Sequence, residues 1–297
     1  MKTLKSIFTI LSVVFIMLNT IAQKQSPPPG GNPKDFVLPE KKVNELKNGL
    51  KSTLVQYGSV PKVNVSLIVK TGNVNEGPNE VWLADLTGNL MKEGTTSMDF
   101  KTISRKVAAM GGEINIGVGP DNTTISGSVL SEFAPDLIKV IADVVMNPAL
   151  PAAQIERLKS DLKRQLSVQK SQPQSQAIES FNSIIYKDHP YGRTFPTQEM
   201  LSSYTIDMVK GFYEKNFGAK RSVIYVVGKF DEGAVQKSIE DVFNGWKEGP
   251  EINYVAATPA KSAEVSMIDR PGAPQTTVII GLPTITPKHD DYVALQV

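Results

Sequence analysis

The sequence predicts an α+β fold, an antiparallel sheet with helices packed on one of its faces, and two observations lead there. The elements run β-β-α-α-β-β-α-α-α-α-β-α, which is not the strand–helix alternation of a parallel sheet. Near the end, Glu264 to Asp291 repeats the opening β-β-α theme at a distance of about 220 residues, the mark of a duplicated domain with its second copy truncated.

The elements follow in order. Val43 to Tyr57 holds an Asn48-Gly49 turn and then Leu50, Thr53, Val55 and Tyr57, a first strand after a turn. Val63 to Val69 (VNVSLIV) is a dense apolar strand, ended by Thr71-Gly72-Asn73 and a polar loop through Asn79. From Val81 to Met91, Trp82, Leu83, Leu86, Leu90 and Met91 fall on one helical stripe, which Gly94-Thr95-Thr96 stops. Asp99 caps a second helix carrying Ile103, Val107 and Met110 and closed by Gly111-Gly112. Glu113 to Val118 and Thr123 to Leu130 alternate on either side of Gly119-Pro120-Asp121-Asn122, a hairpin. Helices follow from Phe133 to Met146, Ala152 to about Gln169, Ile178 to Ile185 and Ile206 to Phe217, with the loop Lys187 to Pro196 among them. Ser222 to Val227 (SVIYVV) is a buried strand, and Asp231 caps a helix that ends near Trp246. After a linker, Glu264 to Asp269 and Thr276 to Gly281 read as strands, and Asp290-Asp291 as the cap of a further helix.

The first 22 residues have Lys2 and Lys5 before an apolar run from Ile7 to Leu18 and a small-residue exit at Ala22. That is the pattern of a secretory signal, too short for a span of about 20 residues. The reading is an exported protein, periplasmic or extracellular, without a stable membrane anchor. Residues 23–38 form a Pro/Gly-rich linker, 39–250 a first domain, and 251–297 a linker with the start of a second domain.

Composition removes whole classes of chemistry. The chain of 297 residues is 40% hydrophobic and 21% charged, enough apolar content for a packed core. Its formal charge of +2 comes entirely from the two leader lysines, so the remainder is neutral and lacks the excess of cations that a grip on nucleic acid needs. With no cysteine and only His189 and His289, Cys₄, Cys₂His₂ and His₃ metal sites and a cysteine nucleophile are excluded by counting. His189, in a loop beside Asp188, reads as structural. His289, beside Asp290 and Asp291, reads as part of a solvated helix cap, because adjacent residues there point in different directions.

Several phrases, in order and spacing, resemble the insulinase-like (M16) zinc metallopeptidase family, which includes the mitochondrial processing peptidase subunits. They are Asn48-Gly49-Leu50, Pro61 before VNVSLIVKTG, LMKEGTT (Leu90 to Thr96), SGSVLSEF (Ser126 to Phe133), NPALPAAQIERLK (Asn147 to Lys159), HPYGR (His189 to Arg193) and IYVVGKFD (Ile224 to Asp231). The resemblance implies paired α+β domains around a chamber. In active members it implies an H-x-x-E-H helix whose histidines bind zinc and whose glutamate polarises water, with a further glutamate ligand on a later helix. This chain departs at each of those positions. Asp85 stands for the first histidine, Gly88 for the catalytic glutamate, Asn89 for the second histidine and Gln165 for the later glutamate. One carboxylate and two neutral amides make a poor zinc site and leave no base for water. The expectation is therefore no catalytic residue and no zinc, which belongs to active relatives. The role expected is a peptide-binding or chamber-forming subunit that partners an active M16 peptidase. The alternatives are an active metalloendopeptidase with an atypical site, or a binding scaffold unconnected with proteolysis.

Overall fold

Six strands build one sheet, and alternation along the strands decides which face is dry. In a computed structural model that describes residues 30–31, 37–258, 260 and 262–297, these are β1 (Lys41–Glu45), β2 (Lys51–Gln56), β3 (Lys62–Val69), β4 (Glu113–Val118), β5 (Thr123–Leu130) and β6 (Ser222–Gly228). The leader and most of the Pro/Gly linker lie outside the described residues. Along β3, Val63, Val65, Leu67 and Val69 are buried while Lys62 and Asn64 are exposed. Ile125 and Val129 on β5 and Ile224 and Val226 on β6 continue the buried layer. The helices pack on that face.

The sheet order is β1-β2-β6-β3-β5-β4. Every neighbouring pair is antiparallel except β2 and β6, which are parallel, with Leu54 opposite Val226. This one departure from the antiparallel expectation has a topological cause. A short connection makes β2 and β3 run in opposite directions. A strand inserted between them must then be parallel to one of the two.

Nine α-helices are described: α1 (Leu83–Lys92), α2 (Phe100–Ala109), α3 (Ala134–Met146), α4 (Ile155–Ser171), α5 (Pro173–Tyr186), α6 (Gln198–Ser203), α7 (Ile206–Asn216), α8 (Glu232–Phe243) and α9 (Tyr292–Gln296). The predicted caps are made: Asp99 accepts from Thr102 N–H at 2.8 Å and Asp231 from Ala234 N–H at 2.7 Å. The short α6 has no sequence counterpart above, and α5 starts at Pro173, earlier than its apolar residues indicate. Lys41–Glu45 forms a separate edge strand, exposed along its whole length, ahead of the Asn48-Gly49 turn.

Residues 264–269 and 276–281 do not form strands. Val265, Met267, Val278 and Ile280 keep the expected alternation but are exposed, and no neighbouring strand among the described residues satisfies their backbone. Asp291 does precede α9, yet its side chain makes no cap bond.

Gly112 leads into β4 so close to β5 that a Cβ there would overlap the Ser128 carbonyl oxygen. Gly112→Ala is accordingly expected to cost about 2 kcal/mol or more, read as a fall of several degrees in the thermal midpoint.

Candidate functional site

Helix α1 starts without a cap of its own. Trp82, the residue before it, is held in the left-handed region at φ 69° and offers no capping side chain. The cap arrives from the preceding loop. Buried Glu76 accepts from Trp82 N–H at 3.1 Å and from Ala84 N–H at 2.8 Å, and places its carboxyl at the first turn of the helix. Asn73 Nδ2 donates both to Glu76, at 3.0 Å, and to Asp85 Oδ2, at 2.7 Å. Burial pushes the Glu76 carboxyl up to about 8 against the pull of the Ala84 N–H and the Asn73 amide. Asp85 is pushed up too, by burial first, with the Asn73 hydrogen bond opposing. Trp82 is locked from the far side, its indole N–H donating to the Thr194 carbonyl at 3.2 Å and its ring meeting Phe195 edge-on at 5.9 Å.

One turn into α1 the helix presses on the sheet edge. A Cβ on Gly88 would come within 2.5 Å of Val118 Cγ2 on β4, so any side chain at position 88 must displace Val118. Asn89, one residue further, faces a groove of about 450 Å³ between α1 and α4. Gln165, Asp161, Arg164 and Gln169 of α4 line the same groove, and Leu158 and Val168 supply its apolar part. Asp161 is held by Arg157 at 3.2 Å and Arg164 at 2.8 Å. The structure thus brings Asn89 and Gln165 to one groove. Asp85 is not among its lining residues and is tied to Asn73.

These residues do not fit zinc. Asn89 and Gln165 offer neutral amide oxygens, Asp85 is already engaged, and Gly88 supplies no base. Among the described residues, no three His, Cys, Asp or Glu side chains come close enough to share a metal ion. His189 is buried, its Nδ1 accepting from Tyr191 N–H at 3.2 Å and its Nε2–H donating to the Val255 carbonyl at 3.0 Å. Both ring nitrogens are used in holding chain, in keeping with the structural reading. His289 Nδ1 accepts from Asp291 N–H at 3.1 Å, within its own turn.

Glu76, Asn73 and Val118 are the residues of this site that sequence reasoning passes over. The one signal for Glu76 is negative: neither Val81 nor Trp82 can cap α1, so an acceptor has to come from elsewhere.

Comparison with known proteins places this geometry. Residues 53–197 match the model of insulinase (peptidase family M16), and residues 203–297 match that of the peptidase M16 inactive domain. An uncharacterized zinc protease of Rickettsia felis is 27% identical over 240 residues, covering 80% of this chain and 58% of the relative. The mitochondrial-processing peptidase subunit alpha of Solanum tuberosum is 26% identical over 197 residues, covering 65% of this chain and 38% of that one. The chain therefore spans about half the length of the curated relatives it matches. The crystal structure of a peptidase M16 inactive domain from Pseudomonas fluorescens superposes with a TM-score of 0.68 at 23% identity, covering 74% of this chain and 54% of that one, and it shares the fold. With both stretches matched to one family on a sheet of this topology, the chain belongs to peptidase family M16, the insulinase family.

Proposed function

We propose that this chain is a non-catalytic M16 protein that binds extended polypeptide and closes a chamber together with a zinc-bearing M16 partner. The observation that carries the reading is Gly88 packed on Val118, at the position the family resemblance assigns to the catalytic glutamate. A general base must lie within hydrogen-bond reach of its proton, and a residue without a side chain has none to offer. The amide side chains of Asn89 and Gln165 in the neighbouring groove suit backbone amides better than a metal.

Strand β4, on which α1 packs through Gly88 and Val118, is paired on one side with β5 and has no strand among the described residues on the other. An extended peptide can add there through backbone hydrogen bonds, which tolerate many sequences. The opposite edge is poorly suited, being a strand of 5 residues with Lys41 and Lys42 exposed on it. Kinship with a subunit of the processing peptidase supports pairing, and the leader-like residues 1–22 support export. Among the described residues no helix is long and apolar enough to cross a membrane. We also take 39–250 as one domain and 251–297 as the start of a second. In support, β6 lies in the middle of the sheet although it falls beyond residue 203, where the second family match begins.

The test is elemental analysis of the purified chain with a peptide-cleavage assay run with and without chelator. Less than about a tenth of an equivalent of zinc and no chelator-sensitive turnover is the expected result. Stoichiometric zinc with chelator-sensitive cleavage would establish the rival, an active metalloendopeptidase. Adding an M16 protein with an intact H-x-x-E-H helix is expected to give a complex that cleaves faster than that protein alone. No complex would leave the scaffold reading in its place.

A further inference from the structure

A buried guanidinium needs a counter-charge, because taking it out of water costs several kcal/mol unless partners replace the hydration. Arg221, where the chain turns into β6, is 4% exposed and lacks one among the described residues. Its Nη1 lies 3.4 Å from the Asn216 carbonyl and 3.5 Å from Asn216 Oδ1, both at the long limit of a hydrogen bond to a neutral acceptor. That same carbonyl already accepts the Thr71 hydroxyl at 2.7 Å. Nε is buried with no acceptor among the described residues. The adjacent acids are used elsewhere: Glu248 and Glu251 pair with Lys220 at 2.9 and 3.1 Å. Burial pushes the Arg221 guanidinium down, and the opposing influence comes from the Tyr254 phenol.

We propose that Arg221 is the receptor for one carboxylate, taken side-on by its Nε and Nη2. In a planar guanidinium these two N–H groups point the same way and match the two oxygens of a carboxylate. A monoanion is favoured over phosphate because one guanidinium supplies a single positive charge and the neighbouring Lys220 is already neutralised by Glu248 and Glu251. The carboxylate comes either from a polypeptide, as an acidic side chain or a free C-terminus, or from a small organic acid. The receptor stands at the strand end from which Thr71 leads into Asn73, the residue that tethers Glu76 and Asp85.

Thermal unfolding of the full chain at fixed ionic strength tests the proposal, with chloride, phosphate, acetate, and a short peptide in free-acid and C-terminally amidated forms. Acetate is expected to raise the midpoint saturably, and phosphate and chloride are not. Arg221→Met is expected to be at least as stable as the unaltered chain without acetate and to ignore it. Arg221→Lys keeps the charge but loses the fork, and is expected to need about tenfold more acetate. A free-acid peptide that outdoes both acetate and its amide identifies a polypeptide source. Equal potency of free-acid peptide and acetate identifies a small acid, and either result supports the receptor. It is overturned if acetate leaves the unaltered chain unmoved, if Arg221→Met responds equally, if phosphate matches acetate, or if Arg221→Met is markedly less stable without any carboxylate.

Discussion

Replacing Gly88 by alanine, a change that stabilises most helix interiors by about 0.5–1 kcal/mol, is expected to destabilise this protein by about 2 kcal/mol. The sign reverses because the added methyl would stand 2.5 Å from Val118 Cγ2. Val118 is β-branched and sits on a paired strand, so it has little freedom to move aside. Gly88→Glu is expected to cost more, about 4 kcal/mol, since a carboxylate is then forced into the same buried contact. Urea unfolding of both variants gives the magnitudes, and Val118→Ala supplies the control. If the clash is the cause, Gly88→Ala in the Val118→Ala background recovers at least about 1 kcal/mol of coupling. Additive losses would mean that Gly88 is required for some reason other than space. The consequence for function is direct. If Gly88 holds the catalytic-glutamate position, as the family resemblance implies, restoring H-x-x-E-H to α1 takes a further change at Val118, whose methyl closes on it.

That closure was not legible in the sequence, although the substitution was. Asp85, Gly88, Asn89 and Gln165 can be set against the family motif by counting, and spacing of four along a helix places Asp85 and Asn89 on one side. Which of them faces the groove depends on contacts between α1, α4 and β4, residues far apart in the chain. The structure sets Asn89 and Gln165 on one groove and ties Asp85 back to Asn73. The same division holds for the fold. Elements with a local cause were readable: β3 from its dense apolar run, β5 from alternation, α2 and α8 from the caps Asp99 and Asp231. The placing of β6 between β2 and β3 was not, since strand pairing across more than 150 residues leaves no local mark. Residues 264–282 show the converse: their apolar alternation is real, but a strand exists only where another backbone meets it.

Stability is expected to fall as pH rises from about 5 to about 8, by on the order of 3 kcal/mol, through Glu76. The sign follows from proton counting. In the unfolded chain the Glu76 carboxyl returns to its ordinary value of 4.5, whereas burial in the fold holds it near 8. Across that window the native state binds the extra proton, so ∂ΔG/∂pH of unfolding is negative, and above about 8 the curve flattens. Asp85, also pushed up by burial, acts in the same direction, and its charge is one of the influences that raise Glu76. The two acids share the Asn73 amide. Glu76→Gln separates this from every other titrating group. The amide keeps an oxygen for one backbone N–H but turns a donor toward the other, so at pH 5 it is expected to be about 1–2 kcal/mol less stable than the unaltered chain. The gap is expected to shrink toward pH 8, because only the unaltered chain has a carboxylate to charge. Asp85→Asn should move the midpoint of the decline to lower pH. Urea unfolding at pH 5, 6, 7 and 8 reads all three. A gap that widens with pH would show that the Trp82, Ala84 and Asn73 donors outweigh burial, that Glu76 is ionised throughout, and that α1 is capped by a charge.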